Sequence, residues 1–123
     1  MTKILIIEDM PDTVEVVRRA LKPSGYEVVH APDAETGLQM ALDQLPDLIL
    51  LDLGLPDYDG QTLAGWLRAE SVLDETPIIA FTAWPLETAK QMVESYGCNG
   101  YIAKPIMKVN EFVAQVQSFL KTP

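Results

Sequence analysis

Cysteine is nearly absent from this chain. Cys98 stands alone, so no internal disulfide can form, and a reduced, cytosolic setting is the natural reading. It lies between Gly97 and Asn99 with no histidine or basic residue beside it, and reads as an inert small side chain. Histidine is as scarce. His30 has no second histidine with which to share a metal, and is expected at the surface. Positive charge is also sparse. Nine Lys and Arg stand against 18 Asp and Glu, and the net charge of −9 argues against direct binding to nucleic acid or to an anionic membrane. Most of those acids read as a solvated face. No apolar run approaches the roughly 20 residues that span a bilayer. The first such run stops at Glu8-Asp9, too soon for a signal peptide. Linkers, low-complexity tracts and internal repeats are missing as well. What is left is one domain, 1–123, long enough to bury about two thirds of its unfolded surface without cross-links.

What the chain does have is a repeated device. Short apolar runs each end in a polar side chain. Lys3-Ile4-Leu5-Ile6-Ile7 runs into Glu8-Asp9, and Asp47-Leu48-Ile49-Leu50-Leu51 into Asp52. Pro77-Ile78-Ile79-Ala80-Phe81 runs into Thr82, and Gly100-Tyr101-Ile102-Ala103 into Lys104. Between the runs the period changes to that of amphipathic helices. Val14, Val17 and Leu21 share a face after Pro11, a good first-turn residue. Gly25 closes that region, and Tyr26 to His30 reads as a further strand. Asp33 is the expected N-cap of a helix with Leu38, Ala41, Leu42 and Leu45 inward, stopped by Pro46. Gly60 precedes a helix with Leu63, Trp66 and Leu67 inward. Pro85 opens one with Ala89, Met92, Val93 and Tyr96. The last carries Val109, Phe112, Val113, Val116 and Leu120.

Strand then helix, five times over, with near-continuous apolar strands, predicts an α/β fold. The expected form is a doubly wound five-stranded parallel sheet in order 2-1-3-4-5 with right-handed crossovers. In that order the switch point falls between strands one and three, beyond their carboxyl ends. Glu8, Asp9 and Asp52 sit at those ends.

Two ionised carboxylates about 5 Å apart repel by about 3 kcal/mol at an effective dielectric near 20. A cluster of three therefore calls for a cation, and Mg2+, which takes oxygen ligands and sits between carboxylates and phosphate, is the expected one. Taken singly, Glu8 and Asp9 could serve as helix caps and Asp52 as a turn residue; together at a switch point they point to metal. Asp52 is then the expected nucleophile, able to form an acyl phosphate. Lys104 supplies a point charge and Thr82 a hydroxyl for the transferring phosphoryl group. Lys104-Pro105 is a site at which a cis peptide is permitted.

These residues carry a resemblance. Ile7-Glu8-Asp9, Leu51-Asp52-Leu53-Gly54-Leu55-Pro56-Asp57-Tyr58-Asp59-Gly60, Phe81-Thr82-Ala83 and Tyr101-Ile102-Ala103-Lys104-Pro105 follow in order and at characteristic spacing. The chain resembles a response-regulator receiver domain of two-component signalling, of the stand-alone type and with a flavodoxin-like sheet. The resemblance implies that Asp52 is the phosphoacceptor. It implies that Glu8, Asp9, Asp52 and the backbone carbonyl of Gly54 hold Mg2+, and that Lys104 pairs with the phosphoryl group. Thr82 and Tyr101 would be the switch pair. The donor would be a phosphohistidine on a sensor histidine kinase or a histidine phosphotransfer protein, and a downstream protein target would read the result. Phosphorylation and dephosphorylation would be self-catalysed, without turnover of a separate substrate. The first helix and the loop after strand five would dock the kinase, leaving Met10, Pro11, Ile106 and Met107 exposed. Ile106 and Met107 sealing the core edge is the alternative. Likewise, Tyr101 is either the relay or a half-buried aromatic with a wet hydroxyl.

Two departures bear on the lifetime of an acyl phosphate. Gly54, two residues after Asp52, is small, and Trp84, two after Thr82, is large enough to overhang the site and slow hydrolysis. The paired acids common before the tyrosine in DNA-binding relatives are absent from Cys98-Asn99-Gly100-Tyr101, so a monomer or weak phosphorylation-dependent dimer is expected. The chain closes with Lys121-Thr122-Pro123, which reads as the end of a free-standing protein or the start of a linker. The competing class is a Mg2+-dependent aspartyl-phosphate phosphohydrolase, which would want an acid where Gly54 stands. A flavin module would want a phosphate-cradling loop where Glu8-Asp9-Met10-Pro11-Asp12 stands.

Overall fold

The computed structural model describes residues 1–120; the expectation made for Lys121-Thr122-Pro123 lies outside the described residues. Five parallel strands form one sheet in order β2-β1-β3-β4-β5, as predicted. They are β1 (Lys3–Ile7), β2 (Glu27–Ala31), β3 (Leu48–Leu51), β4 (Ile78–Thr82) and β5 (Gly100–Ala103). The helices α1 (Pro11–Leu21), α2 (Ala34–Gln44), α3 (Gly60–Ala69), α4 (Leu86–Ser95) and α5 (Val109–Phe119) alternate with them.

Strand side chains point alternately to opposite faces, and both faces are covered. Ile4, Ile6, Leu48, Leu50, Ile79, Phe81 and Ile102 meet α1 and α5 through Val14, Val17, Leu21, Phe112 and Val116. Leu5, Ile7, Ile49, Leu51, Ile78 and Ala80 face the other way, onto Ala34, Ala41, Leu63, Leu67 and Met92. A strand buried on both faces cannot alternate apolar with polar residues, which explains the unbroken apolar runs of β1 and β3.

Three expectations about helix faces need correction. In α2 the residues against the sheet are small: Ala34, Gly37 and Ala41. A Cβ on Gly37 would lie 2.7 Å from Ile7 Cδ1, so the helix rides too close to β1 for a larger residue. Leu38 and Leu42 pack only partly, and Leu45 is 51 % exposed. Leu45 is not on the inner stripe because it is the C-cap, turned left-handed at φ 47 just ahead of Pro46. In α4 only Ala89 and Met92 are buried, while Val93 and Tyr96 face outward near the sheet edge. In α5 Phe112 and Val116 are buried and Val109 is half exposed.

Strand limits shift by one residue. β2 begins at Glu27, whose N–H donates to the Thr2 carbonyl, and runs to Ala31, whose carbonyl takes the Glu8 N–H. Asp47 lies outside β3, with its carboxylate accepting from the Lys3 N–H at 2.7 Å. The register does the functional positioning. Ile7 pairs with Leu51, and the Asp52 N–H donates to the Ile7 carbonyl at 3.0 Å. Glu8-Asp9 and Asp52 thereby leave the sheet side by side. Thr82 pairs with Ala103, and the Lys104 N–H reaches the Thr82 carbonyl at 2.9 Å.

Candidate metal and phosphoryl site

Three acids from two neighbouring strands converge. One carboxylate oxygen from each of Glu8, Asp9 and Asp52 can be chosen so that all lie within 4.8 Å of one another. Glu8 is fully buried, Asp52 is 8 % exposed, and Asp9 is exposed. The donor set is oxygen throughout, with one open side at Asp9. That fits a hard divalent cation such as Mg2+, which keeps some of its water.

Lys104 reaches the cluster from β5, two strands away. Its Nζ lies 2.6 Å from Glu8 Oε1 and 3.2 Å from Asp52 Oδ1, so one ammonium spans both carboxylates. The stem is held over the Phe81 ring, with Nζ 5.2 Å from its centroid. The Lys104-Pro105 peptide is cis, as the sequence permitted. Desolvation is the largest influence on Glu8 and pushes its carboxyl up to about 7. The Lys104 ammonium pulls it down, and neighbouring Asp52 adds to the rise. Glu8 is therefore a carboxyl that exchanges its proton near neutrality.

Glu8 Oε2 accepts weakly from the Met10 N–H at 3.4 Å, and Asp52 Oδ1 from the Gly54 N–H at 3.3 Å. The Thr82 hydroxyl is 3 % exposed and accepts from the Trp84 N–H at 2.9 Å. Trp84 is 43 % exposed, and its ring edge would stand 3.9 Å from a Cβ placed on Gly54. The large residue thus leans over the position where the small one leaves space, as its length suggested. Tyr101 is not drawn into the site; it is 37 % exposed. Cys98 is buried, and desolvation raises its thiol to about 11 against the pull of Arg68, in keeping with an inert cysteine.

Some residues lie near the site where the sequence pattern does not place them. His30 is half-buried rather than at the surface, with Nε2 2.6 Å from the Glu8 carbonyl oxygen. Nothing local in the sequence ties it there; the pairing of β1 with β2 does. Phe81 under Lys104 is hidden in the sequence inside an apolar run. Asp57 reaches across to α2, considered below. A groove of about 430 Å³ runs beside the site, with Met10, Thr13, Val16, Pro105 and Ile106 among its lining residues. Of the two residues offered as docking or sealing, Ile106 packs on the core and Met107 is 84 % exposed.

Fold and site together define a doubly wound α/β protein whose switch point holds an oxygen-donor cluster bridged by a lysine. The sequence profile of the response regulator receiver domain matches residues 4–117. The chain belongs to that family and is a two-component receiver. It is 34 % identical over 121 residues to the polar-differentiation response regulator DivK of Brucella ovis, covering 98 % of each chain. Among solved structures it is similar to the chemotaxis response regulator CheY4 of Vibrio cholerae. That match has a TM-score of 0.89 and 28 % identity, over 98 % of this chain and 99 % of the other. It is also similar to the receiver domain of a Pseudomonas aeruginosa sensor histidine kinase, which carries a magnesium ion in its active-site cleft. The TM-score there is 0.85, with 33 % identity over 96 % of each chain. No helix among the described residues is long and apolar enough to cross a membrane.

Proposed function

We propose that Asp52 accepts a phosphoryl group from a phosphohistidine donor, with Mg2+ held by Glu8, Asp9, Asp52 and the Gly54 carbonyl. The observation that carries this is Lys104 Nζ spanning Glu8 and Asp52 beside a third carboxylate. In the transfer, an Asp52 carboxylate oxygen forms the new bond to phosphorus while the phosphorus–nitrogen bond of the donor breaks. The imidazole leaves with the electron pair and takes up a proton. Bound Mg2+ supplies neutralisation of the phosphoryl oxygens. Lys104 then exchanges a carboxylate for a phosphoryl oxygen. Thr82 gives up the Trp84 N–H as its partner and donates its hydroxyl to the phosphoryl group, and Tyr101 turns inward. Charge-assisted hydrogen bonds of about 1.5–3 kcal/mol each, made in one state only, are enough to bias such a switch.

The donor is a sensor histidine kinase or a histidine phosphotransfer protein, seated on α1 and the loop after β5. The apolar groove between Met10, Val16 and Ile106 supports that surface. The outward Val93, Tyr96 and Tyr101 give a downstream protein target its apolar footing. The setting is cytoplasmic, and the protein is a monomer or a weak dimer once phosphorylated.

A titration with Mg2+ and beryllofluoride, read by Trp84 fluorescence and by sizing, tests the reading. The parent should give a saturable, metal-dependent change and Asp52→Asn none. A parent that ignores beryllofluoride at saturating Mg2+ overturns it.

A further inference from the structure

The loop between β3 and α3 carries Gly54, and it is pinned at three points. At its neck Gly54 and Asp59 form an antiparallel bridge, and the Gly60 N–H donates to the Leu53 carbonyl at 3.1 Å. At its exit the Asp59 carboxylate caps α3, accepting from the Thr62 N–H at 2.7 Å. At its tip Asp57 leaves its own unit altogether. Asp57 Oδ1 accepts from the Ala34 N–H at 2.8 Å and Oδ2 from the Glu35 N–H at 3.1 Å, both in the first turn of α2. Oδ1 also takes the Tyr58 N–H at 3.0 Å. The Tyr58 hydroxyl donates weakly to Glu35 Oε1 at 3.4 Å, and its ring stands edge-on to Trp66 with centroids 4.7 Å apart.

Asp57 takes the two N–H groups of the first turn that the helix's own N-cap leaves over, and does so from another unit of the fold. The first turn of α2 already has its own N-cap, Asp33, whose Oδ1 accepts from the Thr36 N–H at 2.8 Å. Asp57 brings a further negative charge close to Glu35 in a chain of net charge −9. The N–H groups it meets offset that cost. Desolvation raises the Asp57 carboxyl, but the N–H groups of Ala34, Glu35 and Tyr58 outweigh it and leave the group below its ordinary range. What the contact adds is a reference point. α2 is seated against β1 so closely that Gly37 has no room for a Cβ beside Ile7, and Ile7 directly precedes Glu8. The same helix therefore packs on the strand that runs into Glu8-Asp9 and holds the tip of the loop that carries Gly54.

We propose that Asp57 is a positioning residue for the metal site, tethering the β3–α3 loop to α2 so that the Gly54 carbonyl is held in register with the carboxylates of Glu8, Asp9 and Asp52. The proposal rests on the metal site put forward above. Groups that orient ligands without touching the ion typically govern affinity by 10-fold or more.

The test is calorimetric Mg2+ binding to the full chain, without any phosphoryl donor, for the parent, Asp57→Ala and Asp57→Asn. Urea denaturation of the metal-free proteins is run in parallel. Asp57→Ala should weaken Mg2+ binding about tenfold under conditions where it is fully folded. Asp57→Asn keeps the acceptor for the Ala34 N–H but sets an amide NH2 against the Glu35 N–H, so it should bind Mg2+ between the parent and Asp57→Ala, and it keeps the proposal testable if the alanine variant does not fold. Asp57→Ala binding Mg2+ like the parent, with only its urea midpoint lowered, reduces Asp57 to a helix cap and overturns the proposal. An Asn variant that binds Mg2+ as tightly as the parent, with one of the two tethering acceptors lost, overturns it too. A parent that shows no saturable Mg2+ binding overturns the metal site itself, and the tether with it.

Discussion

Magnesium binding to this protein should depend on pH through one buried carboxyl. Glu8 is fully buried, and its carboxyl is raised from 4.5 to about 7, by desolvation first and with Asp52 adding to the rise against Lys104. On the proposed site a cation would require the ionised form, so each ion bound below neutrality would displace a proton. A unit below that value of about 7 most Glu8 carboxyls would hold a proton, and a unit above it few would. The apparent Mg2+ affinity should therefore rise about tenfold between those values, with close to one proton released per ion at the acid end. Stability of the metal-free protein should move the other way. The fold favours neutral Glu8, so its contribution is complete below pH 4.5 and is lost as pH rises through about 7.

Calorimetry in two buffers of different ionisation enthalpy counts the protons directly. Glu8→Gln, which cannot ionise, should flatten the profile while leaving a weaker site. An affinity constant from pH 6 to pH 8 in the parent would show that Glu8 is already ionised in the fold, or that it takes no part in holding the ion.

Three further outcomes follow from local geometry. Gly60→Ala should lower stability by about 1–3 kcal/mol in urea, because its Cβ would meet Leu53 Cα at 2.7 Å and the Asp52 carbonyl at 3.1 Å; an unchanged midpoint would show that the loop yields. Arg68→Ala should cost about 2–3 kcal/mol. The guanidinium joins the carbonyls of Leu73, Thr76 and Gly97 and the Asn99 side chain at the far end of the sheet, so beryllofluoride affinity should hold steady while the denaturation midpoint falls. Trp84→Ala should shorten the acyl-phosphate lifetime severalfold by opening the space above Gly54; radiolabelled phosphate chase measures it, and an unchanged lifetime removes the ring from any shielding role.

Strand order, the parallel sheet and the meeting of Glu8, Asp9, Asp52 and Lys104 were readable from the sequence. The apolar runs are continuous, and each hands off a polar residue at the same end, so topology alone brings those residues together. The register of Ile7 with Leu51 turns that rule into contact. Helix faces were less readable. Leu45 fits the inner stripe by period, but Pro46 ends the helix and turns Leu45 out. The inner face of α2 is instead small, because what counts there is how closely the backbone approaches Ile7. Long-range polar contacts were not readable at all. His30 to the Glu8 carbonyl, Arg68 to Asn99 and Asp57 to α2 join residues 22 to 31 positions apart, and no local pattern marks which partner each will find.

On the proposed function Lys104 would give the cluster two settings. Its ammonium already spans Glu8 and Asp52, so the crowding of negative charge is partly relieved before any ion arrives. Mg2+ held by Glu8, Asp9 and Asp52 would supply further neutralisation, and on the proposed function a phosphoryl group on Asp52 would offer Lys104 a stronger partner than either carboxylate. Thr82 accepts from the Trp84 N–H at rest and on the proposed function would turn its hydroxyl to donate to the charged phosphoryl group. Both side chains have hydrogen-bond partners at rest, so neither needs the second setting to find one. The bias toward the second setting has to come from the phosphoryl charge itself. A Lys104→Ala variant should therefore accept the group poorly and, once carrying it, fail to shift Thr82 and Tyr101. Phosphoramidate labelling paired with Trp84 fluorescence separates those two losses, and a variant that labels slowly yet switches fully would assign the switch to Thr82 alone.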